Sequence, residues 1–236
     1  MNIGMNAVSG RELKDLLYEQ VARIARAAAS PKRLELIEVL VQGEKSVDQL
    51  AADAELSVKL TSAHLKELRQ ARLVESRREG RHMFYRLVDQ HVADFWVMLR
   101  TLAEERLLEL QAATREMAEG PGELAPMAGP ELLEQARRGD LIVLDVRPGM
   151  EYANAHLPYA RSIPISELRN RLGELPSDRP VVAYCRGPYC LMASEAVEIL
   201  AAHGFQATRF EDGVAEWRYH GLPLATVSNE DKENAT

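Results

Sequence analysis

A chain of 236 residues, 46% hydrophobic and 28% charged, has the makeup of a globular protein of one large or two small domains. It has no run of about eighteen apolar residues to span a bilayer, and Met1 to Ser9 lacks the basic-then-apolar pattern of a signal peptide, so a cytoplasmic location is expected. The net charge of −7 argues against a nucleic-acid partner until its distribution is seen: Met1 to Ala118 carries 18 basic and 18 acidic residues, the remainder 11 and 18.

The first part reads as helices. Ser9 with Glu12 forms a capping-box pattern, followed at helical spacing by Leu13, Leu16, Leu17, Val21, Ile24 and Ala28. Ser30-Pro31 restarts a helix with a serine cap and proline in its first turn, and this helix turns Leu34, Ile37, Leu40 and Val41 inward and stops near Gly43. Ser46 with Gln49 opens a short helix to Ala54, and Ser57 caps another running to about Arg72. Two short helices joined by a tight turn make a helix-turn-helix. Beyond Leu73 the period becomes alternating, with Val74, Ser76, Arg78 and then Arg81, Met83, Tyr85 flanking a turn at Glu79-Gly80. The result is a winged helix with basic residues at the wing tip. Between Ser57 and Arg86 there are eight basic residues and three acidic ones, a patch that suits phosphates or is simply a solvated face. A long helix from His91 to about Met117 follows. It carries more apolar residues, among them Phe95, Trp96, Leu99, Leu102, Leu107, Leu108 and Leu110, than so small a domain covers, which predicts a homodimer interface.

Several stretches together resemble the ArsR/SmtB-type bacterial repressors over roughly residues 12 to 110: Pro31-Lys32-Arg33-Leu34, the run from Ser57 to Leu68, Ala71-Arg72-Leu73-Val74, and the run from Arg78 to Leu87. The resemblance implies that the helix from Ser57 enters the major groove of an inverted-repeat double-stranded DNA site with Lys59, Ser62, Ala63 and Lys66 outward. Arg78 and Arg81 would then reach flanking phosphates or the minor groove. His64 either touches DNA or packs the helix. Members of that family often sense metals through thiolates or Asp/His pairs. This first part has no cysteine, and Asp89-Gln90-His91 resembles only half of a last-helix site. Position 102 is leucine, and Glu105 alone does not complete a tetrahedral set. Asp89 is therefore taken as a helix-start residue, and no metal or other cofactor is expected.

Glu119 to Pro126 breaks the helical pattern and marks a linker. The expected division is 9–118 for DNA binding and dimerisation, 119–127 for the linker, 128–225 for a second domain and 226–236 for a disordered polar tail. After a helix from Glu131 to Arg138, the uniformly apolar run 141–146 predicts a strand inside a parallel sheet. A second such strand, Val181 to Tyr184, runs directly into Cys185. A helix from Leu191 to Ala202 and a weak strand, Ala207 to Phe210, complete an α/β pattern, so the fold class is a mainly α winged helix-turn-helix domain followed by an α/β domain with a central parallel sheet. The junction at Cys185 lies at the carboxyl end of a strand, where such sheets bind ligands. A loop curling back onto a helix start aims amides at one point, and a thiol held there ionises more readily. Cys185 is thus a candidate nucleophile, against the ordinary reading of a buried inert thiol.

The second part resembles the rhodanese domain over roughly residues 127 to 225. The likeness rests on Asp145-Val146-Arg147, on Glu151-Tyr152 with the run from Ala155 to Ala160, on Tyr184-Cys185-Arg186-Gly187, and on Glu211-Asp212-Gly213 with Trp217 and Gly221-Leu222-Pro223. It implies that Cys185 takes a sulfane sulfur from a small-molecule donor as a persulfide. Arg186, Gly187, Pro188 and Tyr189 would form an anion cradle, and Asp145, Arg147 and His156 would shape the surroundings. Arg186 is either an anion contact or half of an ion pair. Many rhodaneses carry arginine or another polar residue at the last loop position, which here is Cys190. That departure weakens the attraction for thiosulfate and supplies either a resolving thiol for a sulfur bridge or a small buried residue. The rhodanese-like phosphatases close a longer loop with arginine, and here none follows Arg186 until Arg209. Two main functions remain, beside a minor reading as a metal-responsive repressor with a decorative second domain. One is a transcription repressor that senses reactive sulfur at this loop, and the other is a thiosulfate or polysulfide sulfurtransferase whose winged helix serves localisation or dimerisation.

Overall fold

The computed structural model describes residues 9–118 and 123–227. Contacts divide the chain into a unit that ends at Val92 and omits Val41–Gly43, and a second unit made of Val41–Gly43 and the chain from Ala93 onward. No described helix is long and apolar enough to cross a membrane.

In the first unit, α1 (Gly10–Ala28) begins at Ser9, whose side chain and that of Glu12 form the reciprocal capping box. Helix α2 (Pro31–Val41) follows, and β1 (Lys45–Ser46) leads into α3 (Val47–Asp53), capped in the same reciprocal way by Ser46 and Gln49. Helix α4 (Val58–Gln70) is capped by Ser57 and buries Thr61, Leu65 and Leu68. Strands β2 (Val74–Glu79) and β3 (His82–Leu87) form the wing, with Ser76 opposite Tyr85 and Arg78 opposite Met83. The expected turn at Glu79-Gly80 sits one residue later. Glu79 pairs with His82, so the two loop residues are Gly80 and Arg81, and Gly80 supplies the positive φ of 59° that starts so tight a loop. The short β1, which pairs with Phe84 and Tyr85, adds a third strand that two polar residues gave no sign of.

The single long last helix is in fact two, α5 (Gln90–Arg106) and α6 (Leu108–Ala118). The Gln111 side-chain amide donates to the Glu104 carbonyl at 2.8 Å. A side chain thus enters the helical ladder at the break, a recognised cause of helix interruption.

The second unit continues with α7 (Gly129–Arg138), β4 (Ile142–Asp145), α8 (Gly149–Asn154), β5 (Arg161–Ser162), α9 (Ile165–Arg171), β6 (Val181–Tyr184), α10 (Met192–Ala202), β7 (Ala207–Arg209) and α11 (Val214–Tyr219). The four strands are parallel in the order β5-β4-β6-β7. Both faces of the sheet are covered, which is why the strands read as unbroken apolar runs. Ile142, Leu144, Val181 and Ala183 face a cluster with Ala196, Val197 and Leu200 of α10. Val143, Val182 and Tyr184 face the opposite one with Leu132 and Trp217. The expected linker falls partly outside the described residues at 119–122, as does most of the expected tail, at 228–236. The end of the linker belongs to the sheet: Arg209 N–H donates to Glu123 O and Ala125 N–H to Arg209 O, at 2.9 and 2.8 Å.

Candidate functional site

In the first unit, Lys59, Ser62, Ala63 and Lys66 lie on the exposed face of α4, opposite its buried Thr61-Leu65-Leu68 stripe, and His64 is half-buried. Arg78 and Arg81 are exposed at the wing tip, where Arg78 donates to Gly80 O at 3.0 Å. Other basic residues of the patch are already engaged. Arg77 is held by Glu44 and Glu79 and lies over the Phe84 ring, and Arg86 pairs with Glu75 at 2.5 Å. Asp89 directly precedes α5, and its 3.6 Å approach to His91 joins two exposed side chains.

In the second unit, β6 delivers Cys185 to the base of a six-residue loop that ends at Cys190, just before α10. Cys185 is 3% exposed, and Cys190 is half-buried. The Cys185 thiol donates to the Cys190 carbonyl at 3.3 Å and lies within hydrogen-bonding reach of the Cys190 sulfur. Backbone amides of Gly187 and Ala193 point at Cys185, and those of Arg186 and Met192 at Cys190. The loop therefore does stabilise an anion, but its reduced form places the charge on the second thiol. Hydrogen bonding from Cys185 lowers the Cys190 pKa to about 6, while that same bond and burial push Cys185 up. The two thiols thus titrate as a coupled pair in which the lowered pKa falls on Cys190 and not, as the sequence suggested, on Cys185.

Two glycines permit the loop. Gly187 adopts a φ of 150°, and a Cβ there would sit 3.2 Å from a Glu216 carboxylate oxygen. A Cβ at Gly213 would lie 2.3 Å from Arg186 O and 2.9 Å from Cys185 O, so only glycine lets the start of α11 back onto the loop.

Beneath the loop lies a buried polar frame. Arg147 donates to Asp145, to Ala155 O at 2.8 Å and to the Gln42 side chain at 2.8 Å, and Asp145 also accepts from the Tyr184 hydroxyl. Burial opposes the Arg147 charge, but Asp145 more than offsets it and holds the guanidinium protonated. Gln42 in turn donates to Arg186 O at 3.3 Å. His156 is buried, stacked on Tyr152 and bonded to its carbonyl at 2.8 Å, away from the sulfurs' hydrogen bonds. Arg186 proves to be half of an ion pair: its guanidinium meets the 2%-exposed Glu151 at 2.6 Å.

A further set was not singled out from sequence. Arg100 of α5, 6% exposed, pairs at 2.7 Å with Glu216, which also accepts from Gly213 N–H at 2.8 Å. The Arg100 guanidinium lies 5.7 Å from the Tyr189 ring centre, and Trp96 meets that ring edge-on at 6.5 Å. The available signal was Arg100 itself, a lone cation four residues after Trp96 in an otherwise apolar helix stripe.

Comparisons with known proteins match both parts. Residues 30–76 match the family described as "Bacterial regulatory protein, arsR family", and residues 129–220 match "Rhodanese-like domain". The HTH-type transcriptional regulator Rv0324 of Mycobacterium tuberculosis is 40% identical over 89% of this chain and 92% of its own length. A sulfurtransferase of Allochromatium vinosum is 31% identical over 36% of this chain and 78% of its own. Among solved structures, the homodimeric winged helix-turn-helix DNA-binding domain of a possible ArsR-family regulator from Mycobacterium bovis is 35% identical with a TM-score of 0.40, covering 44% of this chain and 95% of that one.

Proposed function

Proceeding from a chain that belongs to the ArsR family of bacterial transcription regulators and carries a rhodanese-like domain, we propose that it is a homodimeric DNA-binding repressor whose input is sulfane sulfur taken up at Cys185. Residues 9–118 bind an inverted-repeat operator, and residues 128–225 receive the sulfur. Lys59, Ser62, Ala63 and Lys66 enter the major groove, with His64 beside them, and Arg78 and Arg81 hold phosphates. Leu13, Leu17 and Val21 of α1 and Leu102, Leu107 and Leu108 at the end of the last helices are all at least half exposed in the single chain. A second copy is the occupant these faces suit.

At the loop, Cys185 passes its proton to the Cys190 thiolate as its sulfur attacks the sulfane sulfur of the donor. The donor's S–S bond breaks and Cys185 becomes a persulfide. The donor's remaining part leaves with the electron pair and takes up that proton, which restores the Cys190 thiolate. The Cys190 thiolate then attacks the inner sulfur of that persulfide, the outer sulfur departs as hydrosulfide, and a Cys185–Cys190 disulfide remains. The observation that carries the regulatory reading is the tie between the loop and α5: Tyr189 packs on Trp96 and Arg100, and Arg100 reaches Glu216 beneath Gly187. A bridge that reshapes the loop displaces Tyr189 and with it the helix assigned to dimerisation.

The alternative, a freely turning-over sulfurtransferase, draws support from the Allochromatium relative's name, but it gives those contacts no role. Mass spectrometry after exposure to polysulfide tests the first step. Wild type and Cys190→Ser should gain sulfur on Cys185, and only wild type should go on to the bridged form. Full uptake by Cys185→Ser would refute the assignment.

A further inference from the structure

We propose that the loop takes sulfur from organic hydropersulfides, whose reacting form is uncharged, and discriminates against the dianion thiosulfate, with Glu151 as the specificity-determining residue. This rests on the sulfur-accepting role given to Cys185.

Among the described residues, the arginines in and behind the loop are each bound to a carboxylate. Arg186 meets Glu151, and Arg147, linked to the loop through Gln42, meets Asp145. Arg100 meets Glu216 and Glu104. The last loop position is a thiol rather than a cation, and the loop amides named above are directed at the two sulfurs themselves. Beside Pro188 opens a cleft of about 450 Å³ whose lining includes Glu104, Glu105, Glu211, Asp212 and Glu216, facing Arg100 and His220. The Asp212 carboxyl is held above its usual range by burial and then by the charges of Glu216 and Glu211, as expected where the field is negative. A doubly charged donor is repelled by this acidic rim beside the loop, and the arginines it meets there, among the described residues, are each paired with a carboxylate.

Neither reaction needs an outside oxidant. With a hydropersulfide, the Cys185 sulfur bonds to the outer sulfur of R–S–SH, the S–S bond breaks, and the products are Cys–S–SH and R–SH. With thiosulfate the same attack expels sulfite and leaves the same persulfide, so the two donors differ at the site in charge and leaving group.

Intact-mass spectrometry of the full chain reads the rate of sulfur addition from benzyl hydropersulfide and from thiosulfate, each divided by the donor's rate with a free small-molecule thiol. The normalised hydropersulfide rate should exceed the thiosulfate rate by about tenfold or more at low salt, and the gap should narrow as salt screens the repulsion. Glu151→Gln, which releases the Arg186 charge, should raise the thiosulfate rate about tenfold relative to the hydropersulfide rate of the same variant. Should that variant fail to fold, the exposed-rim double variant Glu105→Lys with Glu211→Lys should raise the thiosulfate rate several-fold. Equal normalised rates in wild type, or no gain for thiosulfate in the folded variants, would overturn the selectivity while leaving sulfur uptake intact. No uptake from either donor would overturn the sulfur-accepting role itself.

Discussion

Lys59, Lys66, Arg78 and Arg81 of the first unit stand exposed without a carboxylate partner among the described residues, whereas Arg100, Arg147 and Arg186 of the second are drawn inward and each is matched to an acid. The physical consequences are opposite. An exposed cation keeps its hydration and its counterions and gains by exchanging them for phosphate. A buried pair contributes little net stability but is costly to break, and it fixes the geometry around it. The wing holds both kinds within one hairpin, since Arg77 is committed to Glu44 and Glu79 while Arg78, next in sequence, is not. Charge counts alone do not separate them; a sequence shows how many cations there are and not which are already spent.

The comparison is broken most severely by removing a buried acid. Asp145→Ala leaves the fully buried Arg147 uncompensated, so denaturant unfolding should show a loss of about 3–5 kcal/mol; a loss under about 1 kcal/mol would mean that the frame is not structural. On the exposed side the effect is smaller and falls on binding. Lys66→Ala or Arg81→Ala should weaken DNA affinity for many sequences alike and reduce the slope of log affinity against log salt by about one each. Arg77→Ala should alter that slope by less, and an equal change would erase the distinction between free and committed wing cations. The smallest perturbation is of a single proton. With the Cys190 pKa lowered to about 6, the thiolate is present above that pH, so its alkylation rate should climb through pH 6 and level off by about pH 8. In Cys185→Ala, which removes the hydrogen-bond donor, the midpoint should move up toward about 8.5. A wild-type midpoint already near 8.5 would show that the thiols do not share a charge.

Much of the architecture was legible because local rules and burial agree. The capping serines 9, 46 and 57 fix three helix starts, and the runs 141–146 and 181–184 become the two central strands because both their faces are covered. What escaped notice was set by tertiary contact. The strand β5 is two residues long and pairs at the sheet edge, the 123–125 segment looks like linker until Arg209 claims its backbone, and the break at Leu107 depends on where the Gln111 amide points. At the site, Cys185 and Cys190 were evident from type and spacing. The coupled titration of the two thiols, the neutralisation of Arg186 by Glu151 and the Arg100–Glu216 contact were not, because each joins residues whose proximity only the folded chain creates.

The central claim, that sulfur chemistry at Cys185 controls DNA binding, is tested most directly by titrating a fluorescent operator fragment with reduced protein, before and after treatment with polysulfide. Cys185→Ser and Cys190→Ser run beside wild type, and zinc and arsenite serve as control effectors. The account predicts that polysulfide changes wild-type affinity by about tenfold or more, a coupling within the usual range for effector and ligand. It predicts no response in Cys185→Ser, loss of the response in Cys190→Ser although Cys185 is persulfidated, and none to either metal. Wild-type affinity that stays the same while mass spectrometry shows Cys185 fully modified would contradict it.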